Sequence, residues 1–123
     1  MPIAAPFVAV ENCREEIEYY RGILGGEVKI LRMQGEVVMN AELHFEGSKI
    51  TFADTLAAKP TQLGDYVKVI LRLETEEDFH RIYEQLPTGG HINVEKYEAP
   101  FNGLLAIVTD RNGIGWVIGY YRP

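Results

Sequence analysis

The sequence predicts an α+β fold that contains two copies of one strand–helix–three-strand unit, a βαβββ module. Three observations predict the duplication: two β-hairpin patterns, two amphipathic helix patterns, and a Gly-Gly pair after each helix. The pairs begin at Gly25 and Gly89, and this offset of 64 residues also aligns the strand patterns that follow them. Two copies are too few for a repeat array. We therefore expect one domain (1–123) of two modules, at about 1–55 and 66–123, with a linker at 56–65.

The first module is predicted to begin with a strand at about 3–10 and a helix at 13–24. Asn12 followed by Glu15 is the pattern of an N-cap and its capping-box partner. The apolar residues at helical spacing are Cys13, Ile17, Tyr20 and Leu24. The remaining strands are predicted at 27–32, 37–45 and 48–54.

The second module repeats these patterns. Thr75 is the predicted N-cap of its helix, and Asp78 occupies the third helical position. The helix stripe consists of Phe79, Ile82, Tyr83 and Leu86. The predicted elements are a strand at 66–73, a helix at 76–86, and strands at 91–97, 103–109 and 115–120. The last two strands flank Asp-Arg-Asn-Gly at 110–113, whose Asn and Gly tolerate the positive φ of a hairpin turn.

Alternation along the strands predicts which sheet face packs on the helices. In the strand at 37–45 the apolar set is Met39, Ala41, Leu43 and Phe45, and the other set is Asn40, Glu42 and His44. In the strand at 66–73 the sets are Val67, Val69, Leu71 and Leu73 against Lys68, Ile70 and Arg72. The apolar sets are expected to face the helices, and the other sets to face solvent or a shared cavity.

Composition excludes several functional classes. A net charge of −6 argues against nucleic acid and anionic membranes as partners. We also expect no signal peptide, and no uncharged stretch approaches the roughly 20 residues of a membrane span. The single cysteine cannot form an internal disulfide. These features together predict a cytoplasmic protein.

Three segments resemble the vicinal oxygen chelate superfamily, which includes glyoxalase I, extradiol dioxygenases, and fosfomycin- and bleomycin-resistance proteins. They are the helix end Glu-Tyr-Tyr-Arg-Gly-Ile-Leu-Gly-Gly at 18–26, Val-Met-Asn-Ala-Glu-Leu at 38–43, and Asp-Arg-Asn-Gly-Ile-Gly-Trp at 110–116. The PhnB-like branch is the most similar. The resemblance implies curled mixed sheets around a cleft, often completed by a second chain, and hence a homodimer.

Enzymes of this superfamily hold a divalent metal with His and Glu ligands. The resemblance places the four ligand positions at Ala5, about Thr51, Lys68 and Val117. Only Thr51 has a donor oxygen, and Lys68 would bring a cation to the place of the metal. Many PhnB-like sequences have a His at the Asn40 position. We therefore expect neither the usual metal nor another cofactor.

Glu42, His44, Lys68 and Arg72 are the predicted ligand-binding residues. Lys68 and Arg72, four apart on one strand, share a face and would attract a carboxylate or phosphate. Solvated surface side chains, with Glu42 as a neighbour of the cations, are an equally good interpretation. Glu42 and His44 lie two apart on a strand, so they could instead be two ligands of a displaced metal.

Four further residues are predicted to be structural. Cys13 is expected in the core, although a helix N-terminus can lower the pKa of a thiol and activate it. Trp116 is expected in the core or an interface rather than stacked on a ligand. His80 and His91 are expected at the surface.

The leading functional prediction is a metal-free protein that binds a small, anionic molecule, as the bleomycin-resistance group sequesters its ligand. One alternative is a lyase, isomerase or dioxygenase of the same superfamily with displaced metal ligands. Another is a metal-independent enzyme in which Glu42 is the base and Lys68 or Arg72 stabilises an oxyanion. The sequence identifies no catalytic residue and favours binding over catalysis.

Overall fold

The computed structural model describes residues 2–123 and contains two compact units, one that ends at Gln62 and one that spans Leu63–Pro123. Each unit has one four-stranded mixed sheet and one long helix, which confirms the predicted α+β class. None of the helices in residues 2–123 has the length and apolar content that crossing a membrane requires.

The first unit contains β1 (Phe7–Val10), α1 (Cys13–Leu24), β2 (Glu27–Gln34), β3 (Val37–Phe45), β4 (Ser48–Asp54) and the short α2 (Thr55–Ala58). Its strands are ordered β1-β4-β3-β2, with β1 parallel to β4 and the other pairs antiparallel. The predicted strand at 3–10 is shorter in the structure. The α2 turn lies in the segment predicted as a linker, where the Asp54 carboxylate accepts the Leu56 N–H at 3.0 Å.

The second unit contains β5 (Val69–Leu73), α3 (Glu76–Gln85), β6 (His91–Ala99), β7 (Gly103–Thr109) and β8 (Gly115–Tyr121). Its strand order is β5-β8-β7-β6, and β5 is parallel to β8. The prediction that β5 begins at residue 66 is wrong. The first β5 residue with a partner on β8 is Val69, which pairs with Trp116; the same register would place residue 66 opposite Gly113, before β8 begins at Gly115.

In the first unit, α1 covers one face of the sheet. The rings of Tyr20 and Phe52 stack with centroids 5.0 Å apart, and both side chains are fully buried. Met39, Ala41 and Leu43 are buried on β3 as predicted, and Phe45 is half-buried. The last buried residue of α1 is Ile23 rather than Leu24, which is half-buried.

Asn12 occupies the N-cap position of α1 as predicted, but its side chain does not cap the helix. Asn12 is left-handed (φ 57°, ψ 66°) instead of extended, and its side chain accepts no backbone N–H. The Asn12 amide donates to the Glu15 carboxylate at 2.8 Å. The Cys13 N–H donates instead to the buried carboxylate of Asp54 at 3.1 Å, from the end of β4. By contrast, Thr75 caps α3 as predicted, since its hydroxyl oxygen accepts the Asp78 N–H at 3.1 Å.

The second unit has the same layering. Phe79, Ile82 and Leu86 of the α3 segment are buried, together with Leu71 on β5. The prediction for Val67 is wrong, because this residue precedes β5 and is 88% exposed.

Only the first Gly-Gly pair ends a helix: Gly25 is the C-cap of α1, whereas α3 ends at Gln85, before Gly89. Gly25 and Gly89 have the positive φ that glycine adopts without steric cost. A Cβ at the second position would collide with a strand backbone: Gly26 meets the carbonyl of His44, and Gly90 that of Thr109. Each pair therefore lets the chain turn and then pass close to the adjacent strand.

Asp110 organises the β7–β8 hairpin. One carboxylate oxygen accepts the Asn112 and Ile114 N–H groups at 2.8 and 3.0 Å, and the other accepts the Trp116 indole N–H at 2.8 Å. Asp110 is 1% exposed and Trp116 is fully buried. Trp116 is therefore a core residue, as predicted.

Replacing Asp110 by alanine is expected to lower the free energy of unfolding by about 3 kcal/mol, because it leaves the buried indole N–H without its acceptor. The comparison is Thr75→Ala, which removes an exposed cap and should cost about 1 kcal/mol. Urea unfolding of both variants measures the difference. An Asp110→Ala variant as stable as Thr75→Ala contradicts this role.

Candidate functional site

The open face of the first sheet carries a polar cluster on β3 and β4. Phe52 lies beneath α1, so its neighbours Thr51 and Ala53 face the opposite side. Register places Thr51 beside Glu42, and Lys49 beside His44. Four side chains from two strands thus share the face away from the helix.

Glu42 is the centre of this cluster. Its side chain is 12% exposed; one carboxylate oxygen accepts from His44 Nε2 at 2.9 Å, and the other lies 3.3 Å from Lys49 Nζ. The structure therefore brings Glu42 and His44 together. Sequence analysis did not select Lys49, although the two-residue turn at 46–47 sets the register that places it opposite His44.

The same contacts change the acidity of Glu42. The hydrogen bond from His44 is the largest cause that lowers the pKa of this carboxyl, and Lys49 lowers it further, while burial acts in the opposite direction. Glu42 is consequently an ionised carboxylate with two cationic or donor partners, and a weaker base than a free glutamate.

Lys68 and Arg72 lie in the second unit. Lys68 precedes β5 instead of lying within it, and its Nζ donates to the backbone carbonyl of Asp65 at 2.7 Å. A Cβ at Gly115 would meet the Lys68 stem, so this stem crosses the start of β8. Arg72 is on β5 and exposed.

The Arg72 guanidinium contacts an aromatic ring rather than a carboxylate. Its central carbon lies 4.1 Å from the centroid of Tyr121, which in turn stacks on Phe101 with centroids 4.2 Å apart. Among residues 2–123, no carboxylate lies within ion-pair distance of this group. Sequence analysis missed both aromatic residues, because the pairing of β5 with β8 that brings them to Arg72 is not a local pattern.

The residues at the superfamily's metal-ligand positions do not fit a divalent cation. Ala5 and Val117 have no donor atom in their side chains, and Lys68 carries a positive charge. Thr51 pairs with Phe7, which adds no donor side chain. In the described part of the chain, no three His, Cys, Asp or Glu side chains are grouped so that they could hold a metal ion.

The other candidates are structural. Cys13 is 1% exposed, and burial, followed by the nearby Asp54 charge, raises the pKa of its thiol to about 11. The prediction of a core residue is confirmed, and the high pKa opposes a nucleophilic role. His91 is exposed, and His80 lies half-buried on α3, 3.3 Å from Glu76.

Solved structures supply the comparison with known proteins. Protein PA1353 from Pseudomonas aeruginosa superimposes with a TM-score of 0.84 at 18% identity, covering 100% of both chains. A PhnB protein from Bacillus cereus gives 0.75 at 17% identity, covering 97% of this chain and 99% of its own. A glyoxalase-related enzyme from Fulvimarina pelagi gives 0.74 at 15% identity, covering 98% and 88%.

The chain has the glyoxalase/bleomycin-resistance fold. This confirms the fold class that the resemblance to the vicinal oxygen chelate superfamily implies. No sequence model of a known family matches the chain, and neither does any curated protein. Identities below 25% establish no shared activity.

The Glu42 carboxyl is expected to titrate below the ordinary value of 4.5, and His44→Ala should raise its pKa more than Lys49→Ala does. Because the folded-state pKa is lowered, the stabilisation from Glu42 is present above the unfolded-state pKa and is lost as pH falls through the folded-state value. NMR titration of the side-chain carboxyl measures the midpoint directly. A midpoint that is unchanged in His44→Ala would show that the 2.9 Å contact is not made in solution.

Proposed function

We propose that this protein binds a small anionic molecule on a glyoxalase/bleomycin-resistance fold that lacks the usual divalent metal site. The predicted binding residues are Glu42, His44, Lys68 and Arg72. The observation that supports the proposal best is the Arg72 guanidinium, which is exposed and contacts a tyrosine ring instead of a carboxylate.

The charge distribution supports an anionic ligand at Arg72. The chain has 18 acidic and 12 basic residues, yet no carboxylate in residues 2–123 lies within ion-pair distance of this guanidinium. Arginine offers a planar fork of donors that fits carboxylate and phosphate groups. The aromatic neighbour keeps the cation in place without neutralising it, so its donors stay available to a ligand.

The assembly and location belong to the same proposal. We expect a cytoplasmic homodimer that uses neither nucleic acid nor membrane as a partner. The edge strands β2 and β6 support association, because both carry large apolar side chains that are 40–46% exposed. These side chains are Ile30, Leu31 and Met33 on β2, and Ile92 and Val94 on β6.

The contact between Glu42 and His44 favours a second candidate, a metal-independent enzyme. A carboxylate beside an imidazole is a common arrangement for proton transfer. The lowered pKa of Glu42 weakens it as the base, whereas His44 is 46% exposed and could exchange protons with a ligand. A displaced metal site at this pair would need a third ligand, and elemental analysis tests it.

The purified protein is expected to carry no stoichiometric Zn, Ni, Fe or Mn, because the ligand positions hold Ala5, Thr51, Lys68 and Val117. Elemental analysis of protein dialysed without a chelator measures the content. About one metal ion per chain in the wild type, lost in Glu42→Ala or His44→Ala, would establish the displaced site and refute the proposal.

A thermal-shift screen of carboxylates, phosphonates and sugar phosphates is expected to give stabilising hits. A ligand at about 100 times its dissociation constant adds roughly 2.7 kcal/mol to the free energy of unfolding. The Lys68→Ala, Arg72→Ala double variant should lose these shifts. Its control is Arg14→Gln, which removes an exposed positive charge from α1 in the first unit. Hits that persist undiminished in the double variant place the ligand elsewhere.

A further inference from the structure

We propose that the anion bound at Arg72 is the carboxylate of an aromatic acid, whose ring lies on the aromatic side chains beside it. This inference rests on the proposed function and adds the chemical class of the ligand. It is carried by side chains of the second unit alone.

Arg72 lies on the face of the second sheet that α3 does not cover. Leu71 is buried towards α3, so its neighbours Ile70 and Arg72 point to the opposite, open face. Register continues this face across the sheet through Gly119, Leu105 and Tyr97. Arg72 is the one charged side chain in this row of four residues.

Gly119 of β8 lies directly beside Arg72 of β5. A side chain there would stand between Arg72 and Tyr121, since a Cβ would already contact the Tyr121 ring at 3.6 Å. Because glycine has none, the guanidinium reaches across to the ring. The guanidinium therefore lies over the Tyr121 ring, 4.1 Å from its centroid, and stays exposed to solvent beside the apolar side chains.

The surface near the Arg72 guanidinium carries large apolar side chains. Four large side chains at or near this face remain exposed to solvent: Ile70 is 69% exposed, Tyr97 43%, Tyr121 38% and Phe101 37%. Three of them are aromatic, and the rings of Phe101 and Tyr121 already stack, with an interplanar angle of 19°. Flat exposed rings provide the stacking surface that a ligand ring prefers.

These features together specify the ligand class. A single guanidinium matches one carboxylate, whereas a phosphate dianion is usually held by several donors. The four exposed side chains named above carry no charge, and their surface gains most from covering by an apolar ring. An acid whose carboxylate and aromatic ring are joined by a short linker would contact the guanidinium and the aromatic surface together.

Calorimetric titration with three probes tests the inference: 3-phenylpropanoate, butyrate and 3-phenylpropanamide. Wild-type protein should bind phenylpropanoate about tenfold more tightly than butyrate, because only the former covers the aromatic surface. Arg72→Gln should weaken phenylpropanoate about tenfold or more and leave the amide unchanged. The double variant Phe101→Leu, Tyr121→Leu should reduce the preference for phenylpropanoate over butyrate about threefold or more. Arg14→Gln is the control and should alter none of these affinities.

The outcomes separate this inference from the proposed function. Equal affinities for phenylpropanoate and butyrate, both lost in Arg72→Gln, would leave an anion site but overturn the aromatic class. A tenfold preference that survives in the double ring variant also overturns it. Failure of both acids to bind overturns the anion proposal as well. If neither acid binds and the Arg72→Gln substitution also dissociates a dimer, the occupant of this surface is a second copy of the chain.

Discussion

Each unit has a single long helix to cover a four-stranded sheet, and this limit determines where function is possible. In the first unit α1 buries the side of β3 and β4 that carries Phe52, so the side that carries Glu42 has no helix. In the second unit α3 leaves Arg72 on the open side in the same way. These faces are not packed under the long helix of their unit, although Glu42 is still only 12% exposed on one of them. The two surfaces differ in character: the first carries a paired carboxylate, and the second carries aromatic rings beside Arg72.

Buried carboxylates connect the elements within each unit. Asp54 accepts N–H groups at the starts of α1 and α2, and Asp110 holds a hairpin turn and the indole of Trp116. A buried carboxylate is tolerated when its oxygens are hydrogen-bonded, as both are here. Replacing either aspartate would remove the acceptor of several N–H groups at once. Substitution at these two positions should therefore cost more stability than the loss of a single hydrogen bond. Each carboxylate fixes the start of a helix or the shape of a hairpin turn, which strand pairing and helix packing alone do not determine.

Sequence analysis succeeded where the determinants are local. Alternation identified the buried side of β3, and the Thr75–Asp78 pattern identified the cap of α3. At α1 the sequence pattern located the N-cap residue but not the capping contact, because the acceptor for the Cys13 N–H is Asp54, 41 residues away. The same limit applies to the candidate site. His44 and Glu42 are two residues apart in the sequence and were predicted together. Tyr121 reaches Arg72 only through the parallel pairing of two strands that a helix and a hairpin separate in the sequence. Contacts of that kind require the register, which composition and periodicity do not contain.

The location of Cys13 has a practical consequence for following the molecule in solution. This residue holds the only sulfhydryl in the sequence; it is buried in the first turn of α1, and the pKa of its thiol is about 11. A thiol-specific reagent at neutral pH therefore meets neither an accessible nor an ionised group while the first unit is closed. Alkylation then reports transient opening around α1, and its rate measures how often that helix leaves the sheet. The protein thus contains its own probe for local fluctuations in one half, with no label introduced.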